Sequence, residues 1–456
     1  MTDFAISRNP TTGEILARYP MQNAAELEQA LNTSAQAYSQ WRHSSMETRV
    51  AVLRQLGQQI RQRENELARS VTLEMGKPIT QARAEVLKCA NLCDWYAEHG
   101  PAMLADQPTH VPDAWQTFRP IGVILAVMPW NFPFWQVLRG AVSMLLAGNT
   151  YMLKHAPNVM GSATLMSELF DATDLPKGAF NLINVDNDGV SAAIKDDRIA
   201  AVAVTGSVRA GAAIASQAGA ALKKTVLELG GSDPFIVLAD ADLDEAVKSA
   251  VIGRYQNTGQ VCMAAKRFIV EASIAEAFES RFTAAVKALT LGDPLDEKTF
   301  LGPMARADLR DELNEQVQAT IREGARLVLG GSKLEGQGNY YAPTILSDVT
   351  TEMTAFKQEL FGPVAAIAVA RDPEHALQIA NDSEFGLSAT VWTSNDDIAD
   401  HMTQHLEVGA VFINGNGASD PRVTIGGVKK SGYGRELSHF GVHEFCNIQT
   451  VWKNRR

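Results

Sequence analysis

Residues 122–130 read GVILAVMPW, an apolar run of strand length that opens on a glycine and closes on a proline-containing turn. Similar units follow at 150–156 (TYMLKHA), 179–185 (AFNLINV), 199–206 (IAAVAVTG) and 225–231 (TVLELGG), with helical stretches between them. Continuous apolar character marks strands buried on both faces. Their alternation with helices predicts a parallel sheet in a doubly wound α/β fold. Ligands of such sheets bind outside the carboxyl ends of the strands. A second series begins at FIVLADADLDEAVKSAV, residues 235–251, and runs to about Asn414, long enough for a sheet of its own.

Working outward, the first hundred residues read mostly as helices: 25–41, a long stretch from Ser45 to Glu74 ended by Gly76 and Pro78, and a third from about Thr80 to Glu98. On that third helix Val86, Cys89, Ala90, Cys93 and Tyr96 recur at three-and-four spacing, so the two cysteines belong to a packed face rather than to a metal site. Residues 101–119, rich in proline and polar side chains, form an excursion, and the tail FCNIQTVWK alternates like a strand awaiting a partner.

A chain of 456 residues calls for two or three domains and a cleft between them. Net charge of −11, with no cluster of Lys and Arg, argues against nucleic acid as a partner. The sequence has no apolar run of membrane-spanning length, and the N-terminus lacks a secretory pattern. Four cysteines are too few for a disulfide framework, which points to the cytosol.

Several segments carry chemistry. TGSVRAG places Gly206, Ser207 and Gly211 at the start of a helix, where backbone can approach a pyrophosphate, although the spacing also fits a plain helix-start turn. Glu228 interrupts an apolar strand just before two glycines; it either points into solvent or faces a partly dry cleft as a general base. Cys262, in YQNTGQVCM, has small polar neighbours unlike those of a core cysteine. A free thiol is roughly 97% protonated at pH 7, so nucleophilic use requires a cation, a base or a helix N-terminus nearby. Asn131, in PWNFP, is either an oxyanion donor or a turn-former before Pro133.

Taken in order, PWNFP, YMLKHA, TGSVRAG, LELGGSDP, GQVC, ELFGPV and GGVKKSGYGRE closely resemble the NAD(P)-dependent aldehyde dehydrogenase superfamily over essentially the whole chain. The resemblance implies an NAD(P)-binding domain of residues 1–100 and 120–228 with a Rossmann-like sheet, an α/β catalytic domain at 229–436, and a small β oligomerisation arm at 101–119 and 437–456 joining a homodimer or homotetramer. It implies Cys262 as nucleophile, Asn131 as oxyanion donor and Glu228 as base for thioester hydrolysis. Trp130, Lys154, Gly206, Ser207, Gly211, Leu229, Glu359 and Phe361 would contact NAD or NADP.

Where family members often carry a glutamate that grips the ribose hydroxyls, this chain has Pro157, so use of both NAD and NADP is expected. The chain looks like the bacterial succinate-semialdehyde dehydrogenases of the NAD(P)-utilising type, which implies a small carboxylated aldehyde as substrate. Arg139 stands where some of these enzymes bind the carboxylate, and Gln256 stands where they tend to carry a second Arg. Arg422, ordered by Asp420, is a candidate substitute, with Trp130 and Trp135 shaping a short tunnel. The competing readings are another small aldehyde such as glutarate semialdehyde, acyl transfer to CoA, or a non-catalytic nucleotide-binding relative.

Overall fold

In the computed structural model, which describes residues 4–454, the run at 122–130 becomes the strand Val123–Met128 near the middle of a six-stranded sheet. The order across that sheet is Gly432–Tyr433, Lys224–Glu228, Ile199–Thr205, Val123–Met128, Thr150–His155 and Phe180–Ile183. All neighbours are parallel except Gly432–Tyr433, which runs antiparallel to Lys224–Glu228. The chain leaves Val123–Met128 toward one edge and returns to build the other, so a crevice opens between the carboxyl ends of Val123–Met128 and Ile199–Thr205. The central strands are apolar throughout because helices cover both faces: Ile124, Leu125 and Val202 are fully buried. Each such side chain contributes about 1.5–3 kcal/mol through burial.

The second series forms a seven-stranded sheet in the order Arg326–Leu329, Thr344–Ser347, Val364–Ala370, Ala265–Glu271, Asp233–Val237, Ser388–Trp392 and Ala410–Ile413. It is parallel apart from the edge strand Arg326–Leu329. The excursion and the tail meet in a three-stranded antiparallel sheet, with Ala114–Pro120 between Gln107–Pro108 and Cys446–Trp452. Among the described residues no helix is long and apolar enough to cross a membrane.

Two features of the first hundred residues differ from the sequence reading. Phe4–Arg8 and Ile15–Pro20 pair as an antiparallel hairpin rather than joining the helices. Glu74 pins it, accepting from Ser7 Oγ at 2.6 Å and from the backbone N–H groups of Gly161 and Ser162 at 2.8 Å. The stretch from Ser45 to Glu74 is two helices, Met46–Gln62 and Glu64–Met75, broken at Arg63. Its backbone leaves helical geometry, with φ −105° and ψ 16°, and its guanidinium bridges Glu66 and Glu168, each at 2.7 Å. The third helix, Ile79–Met103, buries Cys89 and Cys93 beside Val86 and Tyr96.

Asn149 ties the three-stranded sheet to the six-stranded one. Its Oδ1 accepts from the backbone N–H groups of Ile121 and Gly122 at 2.8 and 3.1 Å, and its Nδ2 donates to the Phe445 carbonyl at 2.9 Å. Because Asn149 is fully buried, removing the amide strands three backbone groups without water. Asn149→Ala is expected to destabilise the protein by about 2–4 kcal/mol. An unchanged urea midpoint would contradict this.

Candidate active site

The two sheets meet in a cleft of about 460 Å³. One wall comes from the carboxyl ends of the six-stranded sheet: Trp130 and Asn131 after Val123–Met128, Gly206 and Ser207 after Ile199–Thr205, and Glu228 and Leu229 at the end of Lys224–Glu228. The facing wall comes from segments that enter the seven-stranded sheet, Cys262 before Ala265–Glu271 and Glu359 and Phe361 before Val364–Ala370. The carboxyl-end rule therefore describes one wall, and amino ends supply the other.

The thiol sits at the end of a tightly constrained loop. After the helix Leu243–Tyr255, residues Asn257, Thr258 and Gly259 all take left-handed conformations, with φ of 53°, 54° and 73°. For Thr, branched at Cβ, such a conformation costs on the order of 1–3 kcal/mol and persists only when its surroundings enforce it. Here they do. Asn257 N–H donates to Gln81 Oε1 at 2.7 Å, Thr258 Oγ1 to the Gly302 carbonyl at 3.1 Å, and Ala305 N–H to Gln260 Oε1 at 2.9 Å. The loop is also sewn to the opposite wall: Asn257 Nδ2 donates to the Asn131 carbonyl at 2.9 Å, and Asn131 Nδ2 donates to the Gln260 carbonyl at 3.1 Å. An amide nitrogen carries two N–H groups, and this last bond uses one of them.

Charge in the site is organised around a buried guanidinium. Arg139 Nε contacts Glu436 Oε2, and Arg139 Nη2 lies 3.9 Å from Glu228 Oε2. Burial pushes Glu228 up to about 8, opposed by Arg139 and reinforced by Glu436. Burial likewise pushes the half-buried Cys262 thiol up to about 11, against the pull of Arg139 and Lys266, while Glu228 and Glu359 add to the rise. Lys266, with no exposed side-chain surface, donates to the carbonyls of Gly231 and Cys262, both at 2.6 Å, and to Glu359 Oε1 at 2.9 Å. Glu359 remains 21% exposed and so faces the cleft. A Cβ on Gly230 would collide with the Glu359 carboxylate, which is why a glycine stands there.

Of the residues singled out from sequence, the structure gathers Trp130, Asn131, Gly206, Ser207, Glu228, Leu229, Cys262, Glu359 and Phe361 on the cleft. Trp130 and Phe361 meet edge to face, 5.7 Å between centroids. Ser207 caps the helix Val208–Ala220, its Oγ accepting from Ala210 N–H at 3.3 Å. Lys154 ends the neighbouring strand Thr150–His155, its ammonium pulled below the usual lysine range by burial.

Others lie elsewhere. Gly211 sits inside the helix Val208–Ala220, where a Cβ would strike Leu229; it serves helix packing rather than phosphate approach. Arg139 is committed to Glu436 and Glu228 and is not a free cation in the cleft. Gln256 is exposed at the end of the helix Leu243–Tyr255. Arg422, 73% exposed, pairs with Asp420 at 2.7 Å. Trp135 begins the helix Trp135–Leu146 and packs under Lys88. The sequence reading missed Lys266, Asn257, Gln260 and Glu436. Lys266 carried the same signal as Glu228, a charge inside an apolar strand.

Comparison with known proteins agrees with this geometry. The pattern of the Aldehyde dehydrogenase family matches residues 3–451. The chain is 64% identical over 453 residues to succinate semialdehyde dehydrogenase [NAD(P)+] Sad of Escherichia coli (strain K12), covering 99% of this chain and 98% of that protein. It is 47% identical over 446 residues to the probable succinate-semialdehyde dehydrogenase [NADP(+)] of Synechocystis sp., covering 97% and 98%. The solved succinic semialdehyde dehydrogenase of Streptococcus pyogenes, in complex with NADP+, superposes with a TM-score of 0.96 at 36% identity, covering 99% of this chain and all of that one. With cleft, thiol loop and sequence in agreement over nearly its full length, the chain belongs to the aldehyde dehydrogenase family.

Proposed function

We propose that this chain oxidises succinate semialdehyde to succinate with NAD(P)+, using Cys262 as nucleophile, Asn131 as oxyanion donor and Glu228 as the base that activates water. The observation that carries the chemistry is the meeting of these three side chains on one cleft whose walls come from two different sheets. The substrate rests on the similarity to succinate-semialdehyde dehydrogenases across almost the whole chain.

The cleft residues fit a dinucleotide. The N-terminus of the helix Val208–Ala220 opens onto it, and a Cβ built on Gly206 meets nothing within 4 Å, so backbone there is open to a pyrophosphate. Glu359, held by Lys266 and partly exposed, suits a ribose hydroxyl. Pro157 starts the short helix Pro157–Val159 with no carboxylate to repel a 2'-phosphate. When bound, NAD(P)+ supplies the hydride acceptor. On this reading the six-stranded sheet carries the nucleotide, the seven-stranded sheet carries the thiol, and the small arm joins copies of the chain as a homodimer or homotetramer. We place the protein in the cytoplasm, where its four free thiols persist.

Catalysis begins when Cys262 releases its proton to solvent at the open side of the cleft, with Arg139 and Lys266 stabilising the thiolate. The thiolate attacks the aldehyde carbon, and the oxyanion takes the second N–H of Asn131 together with the Cys262 backbone N–H. Loss of hydride from that carbon leaves a thioester on Cys262. Glu228 as carboxylate then accepts a proton from water as the water attacks the thioester, and returns it to the departing Cys262 thiolate as succinate is released.

Because Glu228 acts only when ionised, kcat for deacylation should rise with pH through about 8. In Glu228→Gln that limb disappears. Pre-steady-state absorbance at 340 nm, with substrate in excess over that variant, should show a burst of about one reduced cofactor per site followed by turnover slowed about a hundredfold or more. Cys262→Ala should show neither burst nor turnover, and retained activity would overturn the mechanism.

Pro157→Glu should lower kcat/KM for NADP+ about tenfold or more relative to NAD+, through like-charge repulsion at the 2'-phosphate. Equal kinetics in parent and variant for both cofactors would remove Pro157 from the explanation of cofactor use.

A further inference from the structure

Arg139 and Arg422, the two arginines suggested by sequence, are each tied to a carboxylate of the protein itself. A different cation stands beside the site without one. Lys88, on the helix Ile79–Met103, points its ammonium at the face of Trp135, 3.9 Å from the ring centroid, and donates to Ser419 Oγ at 2.9 Å. Among the described residues no carboxylate forms an ion pair with it; Glu85 and Asp420 stand near enough to attract it but are engaged by Lys77 and Arg422. An ammonium has three N–H donors, and only anions or strong acceptors repay its loss of water. Burial accordingly draws Lys88 down to about 8.

A second donor beside it is also unmatched. Trp135 is buried, and its Nε1 has no hydrogen-bond partner among the described residues. A buried indole N–H without an acceptor is costly. The ammonium lies over the face of the ring and the unpartnered N–H lies at its edge, so one lysine–tryptophan contact carries two donors.

Their placement relates them to the thiol. Trp135 follows Asn131 by one short turn, at the start of the helix Trp135–Leu146. Ser419 belongs to the loop after Ala410–Ile413, and that loop packs on the residue next to the nucleophile: a Cβ on Gly417 would stand 3.1 Å from the Met263 carbonyl. Lys88 thus lies behind the cleft wall, joining the helix that follows the Asn131 segment to the loop over Met263.

We propose that Lys88 is the specificity-determining cation for the distal carboxylate of the substrate, with the Trp135 N–H as its companion donor. The assignment rests on the semialdehyde reading given above. Arg139 keeps a different task, setting the charge of Glu228.

The test compares succinate semialdehyde with butanal, its uncharged counterpart of equal chain length, in the parent, Lys88→Met, Lys88→Gln and Lys88→Arg. Loss of Lys88 charge should reduce kcat/KM for succinate semialdehyde about 10- to 100-fold, mainly through KM, while butanal changes by less than about threefold. Lys88→Arg should recover most of the loss. A parallel loss on both substrates, or preserved preference in the neutral variants, overturns the assignment of Lys88 and leaves the substrate reading intact. A parent with no preference between the two aldehydes overturns the substrate reading and the assignment with it. Thermal stabilisation by succinate in the presence of NAD+ provides a second readout that does not depend on turnover. It should be present in the parent and Lys88→Arg and absent in Lys88→Met, and equal stabilisation of all three refutes the proposal.

Discussion

Two buried carboxylates share one guanidinium. Glu436 is in direct contact with Arg139, while Glu228 lies 3.9 Å away. Burying an ionised carboxylate without a partner is prohibitive, so one positive charge cannot keep both acids ionised near neutrality. Burial raises both acids above the usual carboxylate range against the pull of Arg139, and the nearness of Glu436 to Arg139 adds to the rise at Glu228. Much of the architecture serves this arrangement. Glu436 reaches Arg139 because Gly432–Tyr433 returns to the edge of the first sheet beside Lys224–Glu228. Arg139 is aimed by the helix Trp135–Leu146, whose start is fixed by Glu85 accepting from the N–H groups of Phe134 and Trp135 at 2.9 and 3.0 Å. Lys77, fully buried, balances Glu85 and rests on the Phe132 ring, 3.6 Å from its centroid.

The nucleophile depends on the same economy of polar groups. Left-handed Asn257 and Thr258 are held by the amides and carbonyls of segments remote in sequence, and the reciprocal bonds between Asn131 and the loop join the two walls of the cleft. Asn131 and the loop that carries Cys262 are consequently one unit spanning two sheets. Lys266 extends that unit to the cofactor side, since one ammonium holds the Cys262 carbonyl and the Glu359 carboxylate.

The parts legible from sequence were those with a local signature. Fully buried parallel strands such as Thr150–His155 and Ile199–Thr205 announce themselves as continuous apolar runs. Phe4–Arg8 and Ile15–Pro20 do not, because they are short and largely exposed, and their stability comes from Glu74 far along the chain. Cys262, Glu228 and Asn131 drew notice as polar or reactive side chains beside glycine or proline, but each kept a plain structural alternative until the resemblance to the aldehyde dehydrogenases assigned its role. The pairing of Arg139 with Glu436 had no local signature, being made across most of the chain, and so Arg139 read equally well as a ligand for substrate. Gly211 misled for a related reason: a glycine admits a phosphate or a neighbouring side chain alike, and here the neighbour is Leu229.

The return of Gly432–Tyr433 to the first sheet bears on how the protein is made. Synthesis runs from the N-terminus and domains fold as units while it proceeds. Val123–Met128, Ile199–Thr205 and Lys224–Glu228 are translated long before residue 432, so the sheet they form must wait for its antiparallel edge. Until Glu436 arrives, Arg139 is a cation facing a single, more distant acid, and Glu228 competes for it alone. A chain that stops before residue 436 contains the parallel strands of that sheet but has no Glu436 to contact Arg139.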